Sequence, residues 1–308
     1  MTIARSILLQ AANNQWLADQ MTRRAFSRRA IRRFMPGEEL EDALGAAKQL
    51  AGGGIGTIIT QLGEALNSLT DADAVRDHYL GVFDTIKARG LPTWVSVKPT
   101  QLGLDISIDT CRSYLVQLAE RAEAAGGSLW LDMEDSRYVN RTLELYRSIR
   151  AKNAKAGIAI QAYLRRSPAD IDALLSVKPA IRLVKGAYAE PASVAFESKR
   201  ETDLAFYDLG RKMLSAAAAG QCFPVFGTHD MLLVNRLVGA AKELGVPDAK
   251  YEIHMLYGIR SEDQSRLAKD GRAVKTLVSY GHAWFKWYMR RLAERPANVW
   301  FVIKSLVA

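Results

Sequence analysis

Read by hydrophobic and polar position, the chain changes texture once. Residues 3–33 show helical spacing, and a break follows at Met35-Pro36-Gly37. A second helical stretch is predicted over 38–50, closed by Gly52-Gly53-Gly54. Beyond it, short apolar and β-branched runs alternate with longer amphipathic segments. The runs fall at 56–60, 94–97, 129–133, 158–163, 181–184, 223–226, 251–256 and 274–278. Their spacing, roughly 25–45 residues, is that of one strand-plus-helix unit. Helical stripes lie between them: Tyr114, Leu115, Leu118 and Ala122 within 109–125, and Leu233, Leu237 and Ala241 within 231–244.

Runs that are apolar throughout suit parallel strands, which are buried on both faces. Eight such units in one composition regime predict an α/β chain closed into a (β/α)8 barrel over 51–308. An N-terminal helical extension covers 1–50. At 308 residues and 49% apolar, the chain can bury the core this needs.

Charge and cysteine content narrow the setting. The chain carries a net +9, and residues 1–33 hold seven arginines against the single acid Asp19. Such a segment suits either an anionic membrane surface or a solvated helix face. Within the arginine-dense stretch 23–33 Phe26 alone interleaves the arginines, too little for a base-stacking platform, which disfavours nucleic acid. Thr22-Arg23-Arg24-Ala25-Phe26 lacks the apolar run of a twin-arginine export signal, so no targeting segment is read. No stretch reaches membrane-spanning length. Cys111 and Cys222 form neither a metal spacing nor a disulfide framework, and a reducing, cytoplasmic location is expected.

Most of the apolar runs end in polar groups. Gln61 and Glu64 follow the first run, Lys98 the second, and Asp132, Glu134 and Asp135 the third. Gln161 and Tyr163 mark the fourth, and Arg182, Lys185 and Tyr188 the fifth. Thr228, His229 and Asp230 follow the sixth, and Glu252, His254 and Tyr257 mark the seventh. A charge on a buried strand is costly without a partner or ligand. Active sites of parallel barrels gather at the strands' carboxyl ends, so one convergent site is expected there. Lys98 suits a Schiff-base aldolase or a carboxylate-pairing role. His229 and His254 are metal ligands or structural histidines. No Gly-x-Gly-x-x-Gly follows a strand, which excludes a Rossmann cofactor site. Near the end, Arg290 and Arg291 suit a planar carboxylate, with Glu294 at helical reach of both, or form a basic surface turn.

Several blocks now fall into an order. They are Ile181-Arg182-Leu183-Val184-Lys185-Gly186-Ala187-Tyr188, Gly227-Thr228-His229-Asp230, Tyr251-Glu252-Ile253-His254-Met255-Leu256-Tyr257-Gly258 and Arg290-Arg291-Leu292-Ala293-Glu294-Arg295-Pro296. With Leu62-Gly63-Glu64, Ser96-Val97-Lys98, Leu131-Asp132-Met133-Glu134 and Gln161-Ala162-Tyr163-Leu164 upstream, the set resembles the proline dehydrogenase family over nearly the whole chain.

The resemblance implies a distorted (β/α)8 TIM barrel that holds FAD noncovalently and oxidises L-proline to Δ1-pyrroline-5-carboxylate. Electrons pass to a membrane quinone, and the protein docks peripherally on the cytoplasmic membrane's inner face. Lys98, Asp132, Arg182 and Tyr188 are the implied catalytic residues. Lys98, Arg290 and Arg291 take the substrate carboxylate, and Tyr188, Leu256 and Leu277 shape its pocket. Asp132, Gln161, Arg182, Val184, Lys185, Gly186, Ala187, Thr228, His229, His254 and Glu294 are the implied cofactor contacts. Glu64 pairs with Arg290 as a gate. Two positions depart from the family pattern. Leu277 stands where a tyrosine is usual, which opens the pocket to 4-hydroxyproline or another cyclic secondary amine. His254 stands where glutamine is common.

Overall fold

The computed structural model describes residues 31–63, 66, 68–285, 288 and 289. The predicted helix over 3–33, apart from its last three residues, lies outside them. So do Glu64, Arg290, Arg291 and Glu294.

The eight predicted runs each coincide with one strand. These are β1 (Gly56–Gln61), β2 (Thr93–Val97), β3 (Leu129–Leu131), β4 (Gly157–Gln161), β5 (Ala180–Val184), β6 (Phe223–Gly227), β7 (Glu252–Leu256) and β8 (Val274–Tyr280). All pair in parallel and in sequence order, and β8 pairs back onto β1 to close the barrel. The strand edges differ from expectation by a few residues. β3 stops at Leu131, although the Asp132 N–H still bonds the Val97 carbonyl at 2.9 Å. β8 runs on to Tyr280 because its register with β1 holds through Gln61.

The helices are α1 (Leu40–Gly52), α2 (Leu69–Ala88), α3 (Ile108–Ala124), α4 (Val139–Arg150), α5 (Ser167–Leu174), α6 (Lys199–Ala218), α7 (Met231–Glu243) and α8 (Ser261–Lys269). α1 begins two residues later than predicted because Glu39 caps it, its N–H bonding Asp42 Oδ2 at 3.0 Å. Ser68, Ser107 and Ser198 cap α2, α3 and α6 through backbone N–H groups.

The strands' outward side chains meet the helices in the main core. Ile59, Val95, Leu131, Ile158, Leu183 and Phe226 join Phe83, Leu118, Tyr146, Phe206 and Leu237 there. Each such side chain contributes roughly 1.5–3 kcal/mol by leaving water. This shell leaves the inward positions free to be polar.

Candidate active site

Alternation along each strand sends every second side chain inward. On β2 and just beyond β3 these include Ser96 and Asp132. Arg182 on β5 reaches both: its Nη2 donates to Ser96 Oγ at 3.1 Å and to Asp132 Oδ1. Ser96 Oγ donates to Asp132 Oδ1 at 2.8 Å. Beneath this group the Arg182 guanidinium lies 5.1 Å from the Trp130 ring centre. Arg182 is 5% exposed, and its Nη1 is buried without a partner. Burial lowers the Arg182 pKa, with the Asp132 charge opposing.

Gln161 closes β4 beside this network. Its Nε2 donates to the carbonyls of Met133 at 3.2 Å and Glu134 at 3.1 Å. Its Oε1 is buried and unpartnered. The Glu134 carboxylate accepts from Thr100, from N–H at 3.2 Å and from Oγ1 at 2.7 Å. Burial nonetheless raises its pKa, against those bonds and the nearby charge of Lys98. Lys98 itself follows the end of β2, where Pro99–Leu102 turns the chain.

The end of β5 supplies Val184, Lys185, Gly186, Ala187 and Tyr188, all half-buried. Lys185 Nζ lies 2.5 Å from Asp203 Oδ1 and 3.0 Å from Asp230 Oδ2. Asp230 also caps α7, so one carboxylate ties the β5 end to the helix after β6. Gly186 sits at φ 114°, and a Cβ there would lie 2.2 Å from the Tyr163 ring. Gly227, at the end of β6, has no room for a side chain, since a Cβ would stand 2.8 Å from Val184 Cγ1.

Thr228 is buried, and its Oγ1 accepts from the Asp230 N–H at 3.2 Å. His229 Nε2 accepts the Leu256 N–H at 2.9 Å, which leaves the neutral ring's proton on Nδ1. Leu256 and Leu277 pair in register across β7 and β8 and are half-buried, forming an apolar stretch of inner wall.

One predicted grouping separates. Glu252 opens β7 and so lies at the opposite end of the barrel from the strand termini. It bonds Lys275 Nζ at 2.9 Å and His254 Nε2 at 2.8 Å. His254 is 3% exposed and stands edge-on to Trp130. Ser96 and Trp130 were not picked out as site residues by sequence. Both sit two positions before a residue that was, Lys98 and Asp132, and so share its face. Among the described residues, no group of three or more His, Cys, Asp or Glu side chains is placed to hold a metal ion. None of the described helices is long and apolar enough to cross a membrane.

A closed parallel barrel with arginine, lysine and carboxylate groups gathered at its strands' carboxyl ends defines a (β/α)8-barrel enzyme. The family model described as proline dehydrogenase matches residues 43–304. The chain belongs to the proline dehydrogenase family and is an oxidoreductase of that kind. It is 37% identical over 281 residues to proline dehydrogenase 1 of Bacillus subtilis (strain 168), covering 91% of this chain and 92% of that relative. It is 31% identical to the proline dehydrogenase of Deinococcus radiodurans, covering 89% of each.

Among solved structures, proline utilization A from Bdellovibrio bacteriovorus inactivated by N-propargylglycine superposes with a TM-score of 0.80 at 20% identity. The match covers 93% of this chain and 38% of that one. A Bradyrhizobium japonicum proline utilization A variant gives 0.74 at 25% identity, over 89% of this chain and 31% of the other. The chain thus spans well under half the length of either protein.

Proposed function

We propose that this enzyme oxidises L-proline to Δ1-pyrroline-5-carboxylate with FAD held at the barrel mouth, and that a membrane quinone takes the electrons. The observation that carries this reading is the pair of buried, unpartnered polar atoms beside the Ser96–Asp132–Arg182 network. Arg182 Nη1 can only donate, and Gln161 Oε1 can only accept. A flavin ring edge presents both acceptors and an imide N–H donor, so this donor set fits the group. The missing side chains at Gly186 and Gly227 let Tyr163 and Val184 pack closely against the backbone beside this network.

FAD, when bound, supplies the two-electron acceptor for the substrate's ring carbon next to nitrogen. The protein's own work is orientation and charge. Asp132 and Ser96 fix the Arg182 guanidinium, whose permanent charge favours added negative charge nearby. Gln161, Val184, Lys185, Gly186, Ala187, Thr228, His229, His254 and Glu294 complete the proposed cofactor contacts. Lys98, Arg290 and Arg291 clamp the substrate carboxylate, and Tyr188, Leu256 and Leu277 enclose its ring. Holding a reactant at attack distance supplies roughly 7–11 kcal/mol of a barrier. Glu64 covers Arg290 when no substrate is present.

Leu277, in register with Leu256, leaves space that a tyrosine would fill, and this supports a second reading in which 4-hydroxyproline or another cyclic secondary amine is preferred. Anaerobic titration of the purified protein with proline, 4-hydroxyproline and N-methylproline tests both. We expect yellow protein whose flavin absorbance bleaches with the true substrate. A colourless protein trapped by borohydride would instead support a Lys98 aldolase.

The seven arginines of residues 1–33 support docking on an anionic membrane surface, as a cytoplasmic enzyme peripheral to the membrane. Cosedimentation with anionic liposomes should be lost in a multiple Arg-to-Glu variant, and equal binding by both would remove the docking.

A further inference from the structure

The inner face of β7 and β8 carries a polar cluster, Glu252, His254 and Lys275, of which the proposed chemistry at the mouth uses His254 alone. Lys275 Nζ lies 2.9 Å from Glu252 Oε1 and 3.8 Å from the Trp94 ring centre. Glu252 Oε2 lies 2.8 Å from His254 Nε2. Trp94 stacks on Trp130, whose other neighbours are the His254 ring at 5.5 Å and the Arg182 guanidinium at 5.1 Å. The cluster is therefore continuous with the active site through one indole.

Its chemistry is directional. Burial drives the His254 pKa down to about 4, outweighing the attraction of Glu252. The Glu252 pKa is lowered: burial alone would raise it, but His254 and Lys275 outweigh that. At neutral pH the pair is a carboxylate facing a neutral ring. A carboxylate can only accept, so Nε2 must carry the imidazole proton and Nδ1 the lone pair. That Nδ1 is buried and has no partner. Register places the ring at the level of the proposed cofactor contacts, since His254 pairs with Gly227 and Gly227 with Val184.

We propose that Glu252, itself oriented by Lys275, is a positioning residue. It locks His254 in the Nε2–H tautomer, so that Nδ1 stands as a fixed hydrogen-bond acceptor on the inner wall of the cofactor site. The ligand half of this assignment rests on the flavin reading above. The tautomer half does not.

The test uses the full-length protein labelled with 15N-histidine. His254 signals are identified by their loss in His254→Asn. We expect the wild-type protein to show Nε2–H. In Glu252→Gln, Lys275 has only protons to give, so the new amide's carbonyl stays on it and its NH2 group turns to His254. Nε2 must then accept, and the ring should switch to Nδ1–H. In Glu252→Gln with Lys275→Met the amide is free to turn, and Nε2–H should return.

FAD affinity should follow the tautomer. It should fall about tenfold in Glu252→Gln, as expected when a buried acceptor is replaced by a donor, and recover in the double variant. A purely structural Glu252 would leave the tautomer unchanged. Nδ1–H or a charged ring in the wild type would overturn the proposal even if Glu252→Gln failed to fold. So would an unswitched ring in Glu252→Gln. A wild type that binds no FAD would overturn the flavin reading and the ligand half together, leaving the tautomer measurement to stand by itself.

Discussion

Arg182 on β5 and Asp132 beyond β3 meet across the barrel interior, with Ser96 Oγ bridging them at 3.1 Å and 2.8 Å. The cation is almost fully buried, and its carboxylate is about a fifth exposed. Removing one partner of such a pair leaves an uncompensated charge in a poor solvent. Asp132→Ala should therefore destabilise the protein by about 3 kcal/mol, the low end for buried pairs because water still reaches Asp132. Asp132→Asn, which keeps a hydrogen-bond acceptor, should cost less. Urea unfolding of both variants checks the order. Equal stability of Asp132→Ala and wild type would mean that Arg182 finds other compensation.

Lys185 gives a second prediction through Asp230. Burial raises the Asp230 pKa, but the bond and charge of Lys185 outweigh it and the net shift is downward. A depressed carboxylate pKa contributes stability above the unfolded value, near about 3.9, and loses it as pH falls through the folded value. Asn caps helices as well as Asp does, so Asp230→Asn isolates the charge. The variant should be less stable than wild type at pH 7, and the gap should close on acidification below about pH 4. A gap independent of pH would assign the effect to the cap. Unfolding free energies measured across that range decide it.

The barrel was legible because parallel strands are buried on both faces and therefore read as unbroken apolar runs. Val95, Ile158 and Ile181 announce themselves in this way. Polar groups at strand ends were also legible as a set, and Arg182, Asp132 and Gln161 do converge. Depth within the barrel was not legible. Glu252 and Thr228 both looked like mouth residues, yet Glu252 opens its strand and Thr228 follows the end of another. Residue type does not mark position along a strand. Nor could spacing find Asp203 as a partner of Lys185, because that contact depends on how α6 packs.

His254 gives a third prediction, with the same sign as Asp230 but in a higher pH window. An unfolded histidine takes up a proton below about pH 6.5. In the fold, burial delays this until about 4, with Glu252 favouring the charged ring and Arg182 and Lys275 opposing it. Between these values the unfolded state binds more protons, so stability falls as pH falls. His254→Gln removes that proton uptake and should flatten the stability profile across the window by one proton's slope. An unchanged slope would mean that His254 titrates normally in the fold.

Gly186 tests how closely the backbone must run past Tyr163. Its φ of 114° is unfavourable for any residue with a side chain, and a Cβ would overlap the ring. Gly186→Ala should cost roughly 1–3 kcal/mol from backbone strain alone. The ring must also move. Because Gly186 adjoins Lys185, bound flavin should be lost at a lower temperature than in wild type. Thermal melts followed by flavin fluorescence report both effects, and an unaltered melt would show that Tyr163 yields without cost.

Leu277 carries the last prediction, which concerns substrate choice. It pairs with Leu256 on one side and Ile58 on the other, on the inner face of β8. A hydroxyl on the substrate ring would meet only apolar carbon from this wall, but leucine leaves space where a tyrosine ring would not. Leu277→Tyr fills that space and brings a phenol to it. The variant should shift the kcat/KM ratio toward proline over 4-hydroxyproline by about tenfold, the lower range for a pocket contact of this size. If the shift arises from packing against the ring, Leu277→Phe should reproduce most of it. If it needs the phenol oxygen, Leu277→Phe should not. Steady-state kinetics of the three proteins on both substrates separate the two causes, and an unchanged ratio in both variants would remove Leu277 from the substrate pocket.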